Sequence, residues 1–363
     1  MNSVNDILIE VKNLYSVYKM NNSQSRFILN DVNIEIPKGK TIGIIGESGS
    51  GKTQLISSIC GIQLLSPGVI YGNVRFNING KWLSVYNKDR DSDMNCYLNK
   101  PLHATKKVSS NMQSIKRDLI GFIPQDPKTY LNPFWTVEKL FKQSHRLHNN
   151  HEIPFDSFVA KYLISAGILE SKVEDIIHKR PNELSGGESQ RVMTGFVFSK
   201  SPKIIIADEP TTGVDVTTQK RIIETLKEMS DNDTTTILIS HDLGFLDHLV
   251  DEYFVLYNGF VCEYIKDKEE IYNQNNLHPY TRKIVQSLNR DNLEQKARLE
   301  TTPEQQEHLK CCPYSIPGFC SQLEHDIDNP EMTYTEKCRT ELPEKNIDAN
   351  EINSGWKRCW HER

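Results

Sequence analysis

The chain has 363 residues and a net charge of −5, enough length for one large domain and an additional segment. With an isoelectric point near 6.1 it offers no basic field for nucleic acid. No apolar run approaches the roughly 18 residues needed to cross a bilayer. The opening stretch, MNSVNDILIEVKNL, has no basic segment followed by an apolar core, so no signal peptide is expected. The expectation is a chain that stays in the cytoplasm and meets a membrane only through a partner.

Residues 7–18 alternate apolar and polar side chains and read as a strand, as do residues 28–36, with Pro37-Lys38-Gly39 turning the chain after them. Residues 41–46, TIGIIG, form a short β-branched strand, and residues 53–62 have helical spacing. Residues 81–118 are polar and weakly periodic, which predicts a surface insertion with one helix near 108–118. Strand character returns at 118–126, and residues 132–181 carry helical patterns. KIIIADEP (203–210) reads as a buried strand ending in two acids, and 221–230 as an amphipathic helix. A further strand at 234–242 precedes a helix at 243–250, and 253–265 reads as a hairpin turning at Asn258-Gly259. Strands alternating with helices predict an α/β fold with a parallel sheet covered on both faces.

Two stretches carry the chemistry. Gly46–Thr53 reads GESGSGKT, a phosphate-cradling loop of the form GxxxxGK followed by Ser or Thr, in its required place between a strand and a helix. Gly46, Gly49 and Gly51 let backbone N–H groups turn toward phosphate oxygens, where side chains would block the approach. Lys52 places a point charge near the β- and γ-phosphates, and Thr53 can ligate Mg²⁺. Ser48, Ser50 and Gln54 complete the expected nucleotide-contacting set. The second stretch, LSGGESQR at 184–191, opens a predicted helix with Ser185, Gly186 and Gly187. A helix N-terminus of this kind is an anion-binding device, and Ser185 with Glu188 also fits the capping pattern S-x-x-E. Asp208 and Glu209 end a buried strand at the edge of the sheet where ligands bind.

A chain with both stretches in this order resembles the ATPase subunit of an ABC transporter. The resemblance implies a P-loop NTPase fold: a RecA-like core, an antiparallel β-subdomain, a helical subdomain at about 127–200 and a C-terminal extension. It places the ATPase domain at 1–265 and a Cys-rich extension at 266–363. It assigns Asp208 to Mg²⁺ with Thr53, Glu209 to polarising the attacking water, and Gln125 to a loop amide touching both. His241 becomes the switch histidine at the γ-phosphate, and Asp215 the acid of the following loop, although TTGVDVTT (211–218) departs from the usual Ala-Leu before that acid. Tyr18 is the expected adenine-stacking aromatic, with Phe27 as alternative. In the family, ATP lies between the phosphate loop of one subunit and the Ser-Gly-Gly turn of another. The implied partners are therefore a second ATPase subunit, identical or sister, and two membrane permeases. An extracytoplasmic solute-binding protein would act indirectly, and the site of action is the cytoplasmic face of the membrane.

QDPKTYLNPFWTV (125–137), HPYTRKIVQSL (278–288) and IPG (316–318) resemble segments of the oligopeptide, dipeptide and nickel importer branch. Phe134 and Trp135 are candidate permease contacts or, equally, core residues of the helical subdomain. The rival reading is an ABC ATPase uncoupled from transport, acting in DNA repair, translation or cluster assembly. The chain carries one cassette, only about 130 residues separate Lys52 from Ser185, and the HPYT stretch is present, all of which favour the importer. Five of the eight cysteines crowd the last fifth of the chain. Disulfides are not expected in a reducing cytoplasm. Thiolates favour iron–sulfur or zinc, and that branch often carries a Cys-rich tail, so a [4Fe-4S] cluster on Cys312, Cys320, Cys338 and Cys359 is expected, with Cys311 an alternate to Cys312. The intervening spacings of seven, 17 and 20 residues do not match the family's tight early pair, so zinc or free cysteines remain alternatives.

Overall fold

The computed structural model describes residues 7–19, 25–65, 67–87, 106–147, 153–211, 214–231, 233–240, 243–272, 277–288 and 356–357. Two sheets organise them. Strands β1 (Ile7–Lys19), β2 (Ser25–Pro37), β4 (Pro67–Ile78) and β5 (Lys81–Ser84) form an antiparallel sheet in the order β2-β1-β4-β5. The second sheet has the order β11-β10-β9-β3-β8-β7-β6. Its strands are β3 (Thr41–Ile45), β6 (Ile120–Ile123), β7 (Ile204–Asp208), β8 (Thr235–Ile239), β9 (Glu252–Tyr257), β10 (Phe260–Ile265) and β11 (Trp356–Lys357). β6, β7, β8, β3 and β9 run parallel, while β10 and β11 add antiparallel pairs at one side.

β3, β7 and β8 are buried at every position, as a parallel sheet covered on both faces requires. The two-residue strand period sorts their side chains between two cores. Ile204 and Ile206 join the first with Ile237 and Ile239, while Ile205, Ala207 and Leu238 join the second. The first core packs the antiparallel sheet and helix α1 (Lys52–Ile59) on one face. Helices α7 (Val216–Asp231), α8 (Leu243–Asp247) and α9 (Pro279–Leu288) cover the other. A third core, built on Phe141, Phe158, Leu163 and Val192, holds a helical lobe. The lobe consists of α3 (Val137–Leu147), α4 (Phe155–Ser165), α5 (Val173–His178) and α6 (Gly186–Phe198).

Two expected boundaries differ from the packing. The ends of the 81–118 segment are structural: β5 pairs with β4, and Val85, Tyr86, Met112 and Ile115 enter the first core. The helix expected there is α2 (Asn111–Asp118), and residues 88–105 lie outside the described set. Polar composition concealed these positions because they supply only one buried stripe. Nor does the packed unit stop at 265. Ile271, Leu277, Tyr280, Ile284 and Val285 lie in the second core beside Val255 and Cys262.

Leu277→Ala should therefore cost about 2–5 kcal/mol, the usual range for truncating a buried leucine. Urea unfolding of the full chain measures it. A loss below about 0.5 kcal/mol would place residues 277–285 outside the cooperative core.

Candidate nucleotide site

Parallel strands all end on one edge of their sheet, and here that edge collects the polar side chains. β3 runs into Gly46–Thr53, β7 ends at Asp208 before Glu209, and β6 leads to Gln125. His241 follows β8 but lies outside the described residues.

Gly46 begins the loop at φ +155°, and a Cβ there would stand 2.2 Å from the Leu256 carbonyl oxygen. The far side of the loop is tied to the β9–β10 turn, where the Gly259 N–H donates to the Ser50 carbonyl at 2.9 Å. That turn has positive φ at both Asn258 and Gly259, the backbone that a tight hairpin demands. Inside the loop, the Lys52 ammonium donates to the Gly46 and Glu47 carbonyls at 2.8 and 2.7 Å. Burial pulls the Lys52 pKa down, and the nearby Asp208, Glu209 and Glu47 carboxylates oppose it. Ser50 is buried beneath the loop, while Ser48 and Gly49 face outward.

The Thr53 hydroxyl donates to Asp208 Oδ2 at 2.8 Å. Burial pushes the Asp208 carboxyl above its usual range; the Thr53 bond and Lys52 pull it back, and Glu209 raises it further. Gln125 Nε2 donates to Glu209 Oε2 at 3.3 Å, closing the other end of the cleft. Glu209 holds a left-handed backbone at φ +48°, with its N–H donating to the Ile239 carbonyl at 2.9 Å. The Thr53 hydroxyl, Asp208 carboxylate and Gln125 amide are hard oxygen donors, the set that suits Mg²⁺.

The second stretch opens α6. Ser185 Oγ accepts from the Glu188 N–H at 3.2 Å, and the Glu188 carboxylate accepts from the Ser185 N–H at 2.8 Å. The backbone bond from Ser185 holds the Glu188 carboxyl below its usual range. Gly186 is exposed, and a Cβ on it would meet nothing within 4 Å. Nothing in the folded subunit therefore requires glycine at 186. Two contacts connect this helix start to the cleft: Lys128 Nζ donates to the Leu184 carbonyl at 2.6 Å, and Gln190 Nε2 to the Pro210 carbonyl at 3.2 Å. The stretches after Gln125 and after Glu209 are thus each anchored to the Ser-Gly-Gly segment. Asp215 caps α7 by accepting from the Thr218 N–H at 3.0 Å, and that bond lowers its pKa.

Other expected residues are placed differently. The Gln54 side chain turns into the core and donates to Ser16 and Ser58 hydroxyls at 2.9 and 3.2 Å, which leaves its backbone N–H as the group that would face a phosphate. It sits at the third position of α1, on the face that packs against β1. Tyr18 leaves its ring exposed near the end of β1, whereas Phe27 stands edge-on to Tyr15. Phe134 is 85% exposed; Trp135 packs with Leu131, Leu140 and Met193, so the two split between surface and core. Cys312, Cys320, Cys338 and Cys359 lie outside the described residues. Among those described, no group of three or more His, Cys, Asp or Glu side chains forms a metal site. Also among them, no helix is long and apolar enough to cross a membrane.

The sequence profile described as ABC transporter matches residues 29–212. The chain belongs to the ABC transporter family. Its fold is that of the family's ATPase cassette. It superposes with a TM-score of 0.54 and 25% identity on the ATP-binding cassette MJ0796, solved as a dimer in a post-hydrolysis state with ADP and Pi. The superposition covers 71% of this chain and 98% of that one. The oligopeptide transport ATP-binding protein OppD of Haemophilus influenzae is 31% identical over 85% of this chain and 88% of its own length. The dipeptide transport ATP-binding protein DppD of Escherichia coli is 29% identical over 88% and 87%. The cassette hydrolyses ATP, as its family does.

Sequence reasoning gave no role to Lys128 and Gln190, although both lie inside stretches it singled out, 125–137 and 184–191. It also gave Tyr280 no role, although the HPYT stretch that contains it stood out as a branch marker.

Gly46→Ala and Gly186→Ala should separate structural from functional glycines. The first forces backbone apart and should cost about 2–4 kcal/mol in urea unfolding. The second should leave stability within about 0.5 kcal/mol while lowering ATPase turnover. Normal turnover of Gly186→Ala would show that nothing approaches this helix start closely.

Proposed function

We propose that this cassette is the ATP-hydrolysing motor subunit of an importer whose cargo is peptides. The observation carrying the reading is the extent of the match to peptide-transport ATP-binding proteins. It spans 312 residues with OppD of Haemophilus influenzae, well beyond the family-wide stretch of 29–212. An ATPase uncoupled from transport would not need that longer likeness.

In this reading ATP enters with its phosphates against the N–H groups of Gly46–Thr53. Lys52 exchanges its carbonyl partners for phosphate oxygens, and Tyr18 stacks on the adenine. Thr53, Asp208 and Gln125 would hold Mg²⁺, which would neutralise phosphate charge when bound. Glu209 orients the attacking water and draws on its proton, and the Gln125 amide sets the carboxylate's direction. His241 meets the γ-phosphate. Ser185, Gly186, Gly187 and Glu188 of a second subunit close over the same nucleotide, with Asp215 beside the interface. The helix dipole there adds up to about 2 kcal/mol in favourable geometry. MJ0796, dimeric with ADP and Pi, supports the two-subunit arrangement.

The subunit would sit at the cytoplasmic face of the cell membrane against two permeases, fed by an extracytoplasmic binding protein. The exposed Phe134, at the end of the helical lobe nearest the Gln125 segment in sequence, is the docking anchor that fits best.

Glu209→Gln should keep ATP binding and lose about 10²–10⁴-fold in turnover, the usual contribution of a positioned base. Hydrolysis near the unmodified rate would move the base elsewhere. Phe134→Ala should leave the ATPase activity of the free subunit unchanged and abolish co-sedimentation with permease-containing membranes. Retained sedimentation would remove Phe134 from the docking surface.

A further inference from the structure

The HPYT stretch has no part in the chemistry above, yet it reaches the phosphate loop. His278, Tyr280 and Thr281 are buried at the start of α9. Glu263 of β10, also buried, accepts a hydrogen bond from the His278 backbone N–H at 2.9 Å. His278 Nδ1 in turn accepts from the Tyr280 backbone N–H at 3.1 Å. A carboxylate and an imidazole therefore fix the first turn of α9 and the direction in which Tyr280 leaves it. The Tyr280 ring packs on Tyr257, with centroids 4.7 Å apart.

Its hydroxyl ends at the first bend of the loop. It accepts from the Glu47 N–H at 2.9 Å and donates to the Leu256 carbonyl at 3.4 Å. That N–H and the Gly46 carbonyl belong to one peptide unit. The carbonyl end of the unit accepts from the Lys52 ammonium at 2.8 Å. One peptide plane is thus gripped at both ends: by the lysine that would meet phosphate and by a tyrosine more than 200 residues away in the chain. Leu256 is also the residue whose carbonyl leaves no room for a Cβ at Gly46. Burial pushes the Tyr280 phenol well above its usual pKa, so the hydroxyl keeps the proton that it donates.

We propose that Tyr280 is a positioning residue of the nucleotide site, its hydroxyl holding the Gly46–Glu47 peptide so that Lys52 and the loop N–H groups face the phosphates. The proposal rests on Gly46–Thr53 being the phosphate loop. Without the hydroxyl, the Glu47 N–H loses the bond to Tyr280, and the plane that orients Lys52 can turn. Nucleotide affinity then falls, while turnover at saturation, which depends on Glu209, changes little.

Tyr280→Phe tests this, because it keeps the ring against Tyr257 and removes one oxygen. Tyr264→Phe is the control. Its hydroxyl donates to Glu252 at 2.7 Å, at the opposite end of β9, so it too loses one partly buried hydrogen bond. Full-length proteins are titrated with a fluorescent ATP analogue, their steady-state kinetics recorded, and their thermal midpoints measured without nucleotide. Tyr280→Phe should raise the Kd and KM for ATP by about tenfold, the scale of one hydrogen bond, with kcat within about twofold. Tyr264→Phe should leave Kd within about twofold. An unchanged Kd in Tyr280→Phe overturns the proposal, and so does equal weakening in both variants, which would mean a general loss of packing. Lys52→Ala, run alongside, separates the two levels. If it binds ATP normally, the phosphate-loop reading fails. If it binds weakly while Tyr280→Phe binds normally, only the role of Tyr280 fails.

Discussion

A half-buried ammonium organises the polar edge of this protein. Lys52 is partly withdrawn from water, and an unpaired charge there would be costly. The loop solves this by folding around it: the Gly46 and Glu47 carbonyls accept its protons, and Asp208, Glu209 and Glu47 favour its charged form. Those carbonyls can reach it only because Gly46 passes tight against β9. The packing of the sheet, the absence of a side chain at 46 and the placement of the charge are one constraint. The free subunit thus stores a cation already aimed at the cleft, so that an incoming polyanion replaces existing acceptors instead of ordering a mobile chain.

The remaining chemistry is divided between lobes. Asp208 and Glu209 belong to the sheet edge, and Ser185 to the helical lobe, with its own core around Phe141 and Phe158. Lys128 and Gln190 connect the two near the polypeptide segments that follow Gln125 and Glu209. A displacement of Gln125 or Glu209 on nucleotide turnover would therefore be felt at the start of α6. This is a short mechanical route from the sheet edge to the surface that, in the proposed arrangement, a second subunit meets.

Much of this was legible in the sequence. The β-branched runs at 41–46, 203–210 and 234–242 announced parallel strands, because strands buried on both faces have no polar period to confuse the reading. The phosphate loop and the Ser-Gly-Gly turn were legible because each needs particular residues at fixed spacing. Legibility failed where a residue acts through a long-range contact. Gln54 stands beside the loop in sequence, but helical periodicity turns its side chain toward Ser16. Tyr280 stands far away, and only the stacking of α9 on the sheet brings its hydroxyl to Glu47. Polar segments misled in the opposite direction: Met112 and Ile115 form a single buried stripe in a stretch whose composition reads as surface.

Glu209 has one more consequence. Its left-handed backbone, at φ +48°, is a conformation that costs a non-glycine residue on the order of 1–3 kcal/mol. Glycine or asparagine would adopt it with less strain, yet neither supplies a carboxylate. On the proposed role of Glu209, selection for a sturdier subunit and selection for a working one pull in opposite directions at this position. If Glu209 is the base proposed above, a laboratory search that screened variants of this chain for heat resistance alone would drift toward replacing it, and would collect robust proteins that hold ATP without spending it.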